Sequence, residues 1–297
     1  YAQSYSDSLT YTDAELEAAY QADPKTYDKA AWEYVVVSGA ADSTTDADGN
    51  TVQATDEEQA AAKEAAKATA EEILAAYNSG KSLESIAGNY EKATYYNTTD
   101  AAYYDGVVGN WLFDDARKDG DTEILEVGTN YYVGLFHSRG REEYKTVDIR
   151  HILITPETGT KAQGDEGYED EQTQLKAAAR TKAEEILAQW KSGEATEDSF
   201  AQLALENSAD GSKYDGGLYT RVTKGWAVEE FNDWCFDASR KDGDTGIVDT
   251  TYGSHVMYFV GYDLPAWAAS VTSDLQEKAA SEWSTALSEN ADVQQSD

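Results

Sequence analysis

His151 and His255 stand in two short apolar runs, residues 148–154 and 252–260, of a 297-residue chain that has three histidines in all. Imidazole titrates near neutrality and can donate through one nitrogen while accepting through the other, so a converging pair could set the polarity of a site. A single strand histidine is most simply a core residue. Two of them closing the opposite ends of one domain-sized segment call for a shared explanation.

The elements between them follow from periodicity. From Gln172 to Lys191, Leu175, Ala179, Ala183, Ile186, Leu187 and Trp190 recur at three and four, with Gly193 as a stop, which predicts a helix. Thr196 is placed to cap a second helix that puts Phe200, Leu203 and Ala204 on one face. The polar, glycine-rich run 207–217 predicts a shaped loop, and a third helix carries Phe231, Trp234, Cys235 and Ala238 at helical spacing. The order is strand, helix, helix, loop, helix, strands.

The ordered set His151-Ile-Leu-Ile154, Ser208-Ala209-Asp210, Gly216-Gly217, Phe231 with Phe236, and Thr250 through His255 resembles the parvulin family of peptidyl-prolyl isomerases. The resemblance covers about 115 residues and implies a four-stranded antiparallel sheet wrapped by helices, with a shallow proline pocket. It assigns His151 and His255 to the floor of the site and Thr250 to a hydroxyl hydrogen-bonded among them. Asp210 falls where the family has cysteine or aspartate beside the reacting amide, Phe231 lines the proline pocket, and Phe236 belongs to the substrate-binding set. Two positions depart from the family pattern: Tyr219 replaces leucine and Ala227 replaces methionine, so the pocket is expected to be reshaped. The implied activity is X-Pro isomerisation by a foldase for exported proteins, with no cofactor and with unfolded or partly folded polypeptides as partners. The alternative is a binding chaperone that uses both of its parvulin-like domains without catalysis.

A second copy of the same plan precedes the first histidine strand. Residues 111–122 align without gaps to 234–245, and Ala70-Glu-Glu-Ile-Leu-Ala75 repeats as Ala183-Glu-Glu-Ile-Leu-Ala188. The expected class is therefore α+β: two tandem parvulin-like domains at 30–139 and 145–263, flanked by an N-terminal helical segment (1–29) and a C-terminal helix (264–297). Thr12 and Glu15 are spaced as a capping box in the first segment, whose natural partner is the stripe Trp267, Val271, Leu275, Ala279, Trp283 and Leu287 in the last. In the earlier copy Tyr34 stands for His151 and Asn130 for His255, after a turn two residues shorter, while His137 matches Tyr262. Scaffold residues persist and site residues do not, which marks that domain as an inactive spacer or client-binding module.

Composition narrows the partners. The net charge of -34 excludes nucleic acid and anionic membrane as favourable surfaces. Some parvulins read phosphorylated Ser-Pro or Thr-Pro with basic residues after the first strand; here Glu157, Asp165, Glu166, Glu169, Asp170 and Glu171 face that role against Lys161, so no phospho-specific binding is expected. Cys235 is the only cysteine, rules out an internal disulfide and reads as core. The insert 38–53 contains Asp46-Ala-Asp48-Gly49-Asn50, but threonines stand where an EF-hand needs its first and twelfth ligands, so a solvated hairpin loop is expected. The start at Tyr1 suggests a processed or trimmed chain, and the resemblance places it at the outer face of the cell envelope or in the secreted fraction.

Overall fold

The computed structural model describes residues 5, 6 and 8–290. In the first of two compact units, Thr10–Glu142, Thr12 and Glu15 close the expected capping box on helix α1 (Asp13–Ala22), followed by α2 (Pro24–Tyr27). Strand β1 (Lys29–Val37) leads through a small hairpin, β2 (Thr44–Thr45) and β3 (Thr51–Val52), to α3 (Asp56–Asn78) and α4 (Leu83–Ala87). Then come β4 (Ala93–Ala102), α5 (Val107–Leu112), β5 (Thr122–Val127) and β6 (Asn130–Gly140). The antiparallel sheet has the order β4-β1-β6-β5.

The second unit holds the chain from Glu143 onward together with the lead through Leu9. It contains β7 (Lys145–Ile154), α6 (Tyr168–Ser192), α7 (Glu197–Asn207) and a 3-10 turn (Gly211–Asp215). These are followed by β8 (Leu218–Val222), α8 (Glu229–Cys235), β9 (Thr245–Thr250), β10 (Gly253–Pro265) and α9 (Ala266–Asn290). Its sheet runs β8-β7-β10-β9, the same topology as the first. Each is a four-stranded antiparallel sheet with helices, the expected α+β class.

Strand alternation separates the two faces of each sheet. In the second unit Ile152 and Val256 face Ala183, Ile186, Trp190, Phe200 and Leu203 of α6 and α7. On the opposite face Val147, Ile149, Met257 and Phe259 pack with Phe231 and Cys235 of α8. Burying each large apolar side chain contributes roughly 1.5–3 kcal/mol, so α8, which brings Phe231 to the sheet, is held mainly by this second layer. Cys235 is fully buried and its thiol is pushed up to about 12 by desolvation, consistent with a packing role.

The strand register corrects two expected equivalences. Both copies make the same backbone bond at one turn, Gly120 N–H to Phe136 O at 2.9 Å and Gly243 N–H to Phe259 O at 2.8 Å. Phe136 is thereby equivalent to Phe259, and counting back along β6 and β10 makes Tyr132, rather than Asn130, the counterpart of His255. β5 agrees: Leu125 pairs with Tyr132 as Val248 pairs with His255. The two turns have equal length, and His137 corresponds to Val260 rather than Tyr262. Short strands rich in tyrosine and valine offer several matches of equal quality along the sequence, whereas a hydrogen-bonded ladder allows one.

The amino-terminal segment also divides differently from expectation. The lead meets the last helix: Tyr5 stacks on Trp283 with centroids 5.5 Å apart, and Gln276 donates to the Leu9 carbonyl at 3.2 Å. Helix α1 belongs to the first unit instead, because the Tyr20 hydroxyl donates to buried Asp28 at 2.7 Å and the Arg141 guanidinium lies 4.9 Å from the Tyr20 ring centroid. In α9, Trp267 and Val271 are buried while Leu287 is exposed, as a stripe with a four-residue period must drift off a packing face. Helix α8 ends at Cys235, so Ala238 lies beyond it, where Asp237 accepts from the Ser239 N–H and turns the chain. The hairpin insert uses Asp46 Oδ1 to accept the Asp48 and Asn50 N–H groups.

Candidate functional site

His151 on β7 and His255 on β10 sit diagonally across one strand pair: His151 is opposite Met257, two residues from His255, so both rings emerge on the same face. The rings stack with centroids 5.2 Å apart and an angle of 16°, and their Nδ1 atoms are 3.0 Å apart. Both are buried. At the end of β9, Thr250 Oγ1 lies 3.0 Å from His255 Nε2.

Asp210 reaches the pair from the loop between α7 and the 3-10 turn. Two bonds pin that loop to β7: Leu153 N–H donates to Ser208 Oγ at 3.0 Å, and Ala209 N–H donates to the Leu153 carbonyl at 2.8 Å. The loop returns through Gly217, whose N–H and C=O bond Ser212 and His151 respectively. Gly217 has φ +74°, and a Cβ there would lie 2.3 Å from the His151 carbonyl oxygen, so the close approach admits glycine only. Arg150 secures the same crossing by donating to the Asp215 and Gly216 carbonyls and to Glu197.

The Asp210 carboxylate accepts from Ser212 N–H at 2.8 Å, Ser212 Oγ at 2.5 Å and the Tyr219 hydroxyl at 2.9 Å, and lies 3.3 Å from His151 Nε2. Burial opposes its ionisation, but the Ser212 bonds, His151 and Tyr219 outweigh it and bring the carboxyl to about 2. Desolvation depresses His151, against the pull of Asp210; desolvation and then His151 take His255 down to about 4. At neutral pH the site is one carboxylate and two neutral imidazoles.

This charge state fixes the direction of the hydrogen bonds. An ionised carboxylate only accepts, so His151 carries its proton on Nε2 and presents a bare Nδ1. His255 must then donate from Nδ1, leaving its Nε2 to accept from the Thr250 hydroxyl. The result is a polarised chain from Thr250 to Asp210.

Over this floor lies a cavity of about 460 Å³ lined by His151, Asp210, Tyr219, Trp226, Ala227, Phe231, Tyr252 and His255, among others. Phe231 meets both imidazoles edge-on, at 5.5 Å from His151 and 5.3 Å from His255. Of the sequence candidates, His151, His255, Thr250, Asp210, Phe231, Tyr219 and Ala227 come together here. Phe236 does not: it packs edge-on against Tyr144 at 5.9 Å, away from the lining. One residue past the end of α8, it packs on the same core layer as Phe231 without reaching the cavity.

Three participants escaped the sequence reading. Ser212 could have been found from Asp210-Gly-Ser, a turn in which aspartate caps the amide two residues on. Trp226, half exposed and 4.7 Å from the Tyr219 ring, and Tyr252 carry no signal beyond being aromatic residues in loops. Among the described residues no cluster of three or more His, Cys, Asp or Glu could hold a metal ion.

The family model that matches describes a PPIC-type PPIase domain and covers residues 133–260. The foldase protein PrsA 1 of Listeria innocua is 29% identical over 142 residues, covering 46% of this chain and 39% of that protein. Its Listeria monocytogenes counterpart is 28% identical over the same length. Among solved structures, PrsA from Bacillus subtilis aligns at 23% identity with a TM-score of 0.34, covering 51% of this chain and 52% of that one. The chain spans about two-fifths of the length of the curated relatives it matches. The stretch that matches the PPIC-type PPIase domain model, residues 133–260, is the one that carries both histidines and most of the ordered motif set.

Proposed function

We propose that the second unit catalyses cis/trans isomerisation of X-Pro bonds in unfolded or partly folded polypeptides, and that the protein works as a foldase outside the cytoplasm. The observation that carries this reading is the convergence of two neutral imidazoles and an ionised Asp210 beneath an aromatic groove.

X-Pro rotation is slow because twisting the amide breaks its conjugation. The planar amide places partial negative charge on its oxygen, and twisting returns that electron density to nitrogen. A carboxylate held beside the carbonyl disfavours the planar form more than the twisted one, and this difference is catalysis by differential binding. Phe231 and Trp226 supply apolar surface for the pyrrolidine ring, Tyr219 and Ser212 hold Asp210 in place, and the imidazole chain fixes the polarity of the floor. No bond to the protein forms. A 10⁴-fold acceleration requires only about 5.4 kcal/mol of such preference.

The test is cis/trans exchange measured on short X-Pro peptides with the full chain and with Phe231→Ala and Asp210→Ala. Catalysis abolished by either change supports the reading. Absence of catalysis in the unaltered protein, together with suppressed aggregation of a denatured client, replaces it with the binding chaperone. The acidic chain also favours neutral or basic residues before proline; a peptide panel turned over fastest with Glu or Asp there would contradict that preference.

A further inference from the structure

The first unit carries tyrosines where the second carries its imidazoles. Tyr34 and Tyr132, the register counterparts of His151 and His255, stack with centroids 5.8 Å apart at 18°, close to the 5.2 Å and 16° of the histidines. Tyr96 extends the stack, 5.0 Å from Tyr34 at 18°, and Trp32 closes its other side at 4.0 Å and 13°. Tyr104 stands near enough that it and Tyr132 each disfavour ionisation of Tyr34, beyond the effect of desolvation. Tyr96 and Tyr104 are 46% and 54% exposed, and exposed Val107 continues the apolar surface.

Two polar features of this face lack partners. Among the described residues none of the hydroxyls of Tyr34, Tyr96, Tyr104 and Tyr132 has a hydrogen bond to the protein. The indole N–H of Trp111, whose ring meets Trp32 at 6.2 Å, is buried without an acceptor. Aromatic faces edged by unengaged phenol donors match one ligand class: an extended polypeptide whose proline rings lie on the aromatic planes and whose free carbonyls accept from the hydroxyls. Acidic side chains outnumber basic ones more than two to one in residues 10–142, which selects for segments that also carry lysine or arginine.

We infer that the tyrosine face of the first unit, built on Tyr34, Tyr96, Tyr104 and Tyr132, is a non-catalytic binding site for extended, basic, proline-containing polypeptide segments. It adds a second polypeptide contact to the proposed foldase without resting on the isomerase chemistry, since none of its residues belongs to that groove.

The experiment follows backbone amide NMR signals of the full chain during titration with a repeating Pro-Pro-Lys peptide, against a Gly-Ser-Lys peptide of equal length and charge. The inference expects saturable shifts at Tyr34, Tyr96 and Tyr132, at least tenfold weaker affinity at those signals in Tyr96→Ser/Tyr104→Ser, and an intermediate loss in Tyr96→Phe/Tyr104→Phe. Isomerase activity and the shifts at His151 and His255 should be unchanged in both variants, and undisturbed amide signals of buried Val35, Ile73 and Val133 report that the first unit still folds. Shifts confined to the second unit, equal response to the Gly-Ser-Lys peptide, or undiminished binding in the serine variant would each overturn it. Binding at the tyrosines in a protein without isomerase activity would sink the catalytic reading and leave this one standing.

Discussion

The two units share strand order and register, yet one gathers ionisable groups and the other aromatic ones at the same address. In the second, β8 is only Leu218–Val222, and the chain before it loops out to present Asp210 and Ser212 to the histidines. In the first, β4 runs from Ala93 to Ala102 along β1 with one register shift between Ala30 and Trp32, and its Ala93–Tyr96 half pairs with Val37–Tyr34, where such a loop would pass. A site of this kind therefore depends less on the sheet than on a short edge strand that frees about ten residues to carry a carboxylate. Removing the loop removes the charge, and tyrosines can then fill the floor.

The largest effect expected from testing this contrast comes from the charge itself. Asp210→Asn leaves the shape but removes the anion that orients the imidazole chain, and kcat/KM for an X-Pro peptide should drop about 10²-fold, by analogy with the loss of one preorganised electrostatic group. A loss below about threefold would place the chemistry elsewhere.

Gly217→Ala attacks the crossing that frees the loop. It forces a side chain into φ +74° and against the His151 carbonyl, at a cost of about 3 kcal/mol. Thermal unfolding should show the second unit melting well below the first, with isomerase activity lost alongside.

Acid should separate the units as well, while alkali should weaken both, since Tyr34 in the first and Tyr219 and Tyr258 in the second are all raised. His255 is depressed from 6.5 to about 4 and Asp210 from 3.8 to about 2, so in both windows the unfolded chain binds protons that the native site refuses. Stability of the second unit falls as pH drops from about 6.5 through about 4, and again toward about 2. Tyr34 is raised above its ordinary value of 10.0, so the native first unit keeps a proton that the unfolded chain releases, and its stability falls as pH climbs past that value. Unit-resolved hydrogen exchange across pH checks the acid contrast; the second unit proving the more acid-resistant would contradict it.

Tyr219→Phe deletes one of the hydrogen bonds on Asp210 and should lower kcat/KM about fivefold, with little change in melting temperature, as suits a bond of about 1 kcal/mol. The smallest effect is a predicted nil. Tyr34→His/Tyr132→His in an otherwise inactive His151→Ala protein should give no isomerisation above background, because the first unit has no loop to deliver a carboxylate. Measurable turnover would show that paired imidazoles suffice.

Much of this was legible in one dimension because it is local or repetitive. The helical stripes, the Thr12 and Thr196 caps, the duplicated 111–122 and 234–245 segments and the glycine pair follow from periodicity, short-range hydrogen bonding and backbone sterics. The motif order placed His151, Asp210, Phe231, Thr250 and His255 in one site because related chains fold their strands the same way. Pairwise register was beyond its reach: the offset of two residues that hid Tyr132 behind Asn130 is invisible until a ladder is formed.

The sequence alone settled the order of elements, the duplication and the identities of the ionisable groups, because these depend on spacing along the chain and on side-chain type; the class of fold followed from the family resemblance. Only the tertiary structure decided that Tyr219 serves Asp210 rather than only lining a pocket, that Phe236 packs on Tyr144 outside the cavity lining, and that Tyr34 and Tyr132 stand in the first unit where the imidazoles stand in the second. Those outcomes depend on which strands become neighbours and on which face each residue emerges, and a contact between residues a hundred positions apart leaves no trace in local pattern.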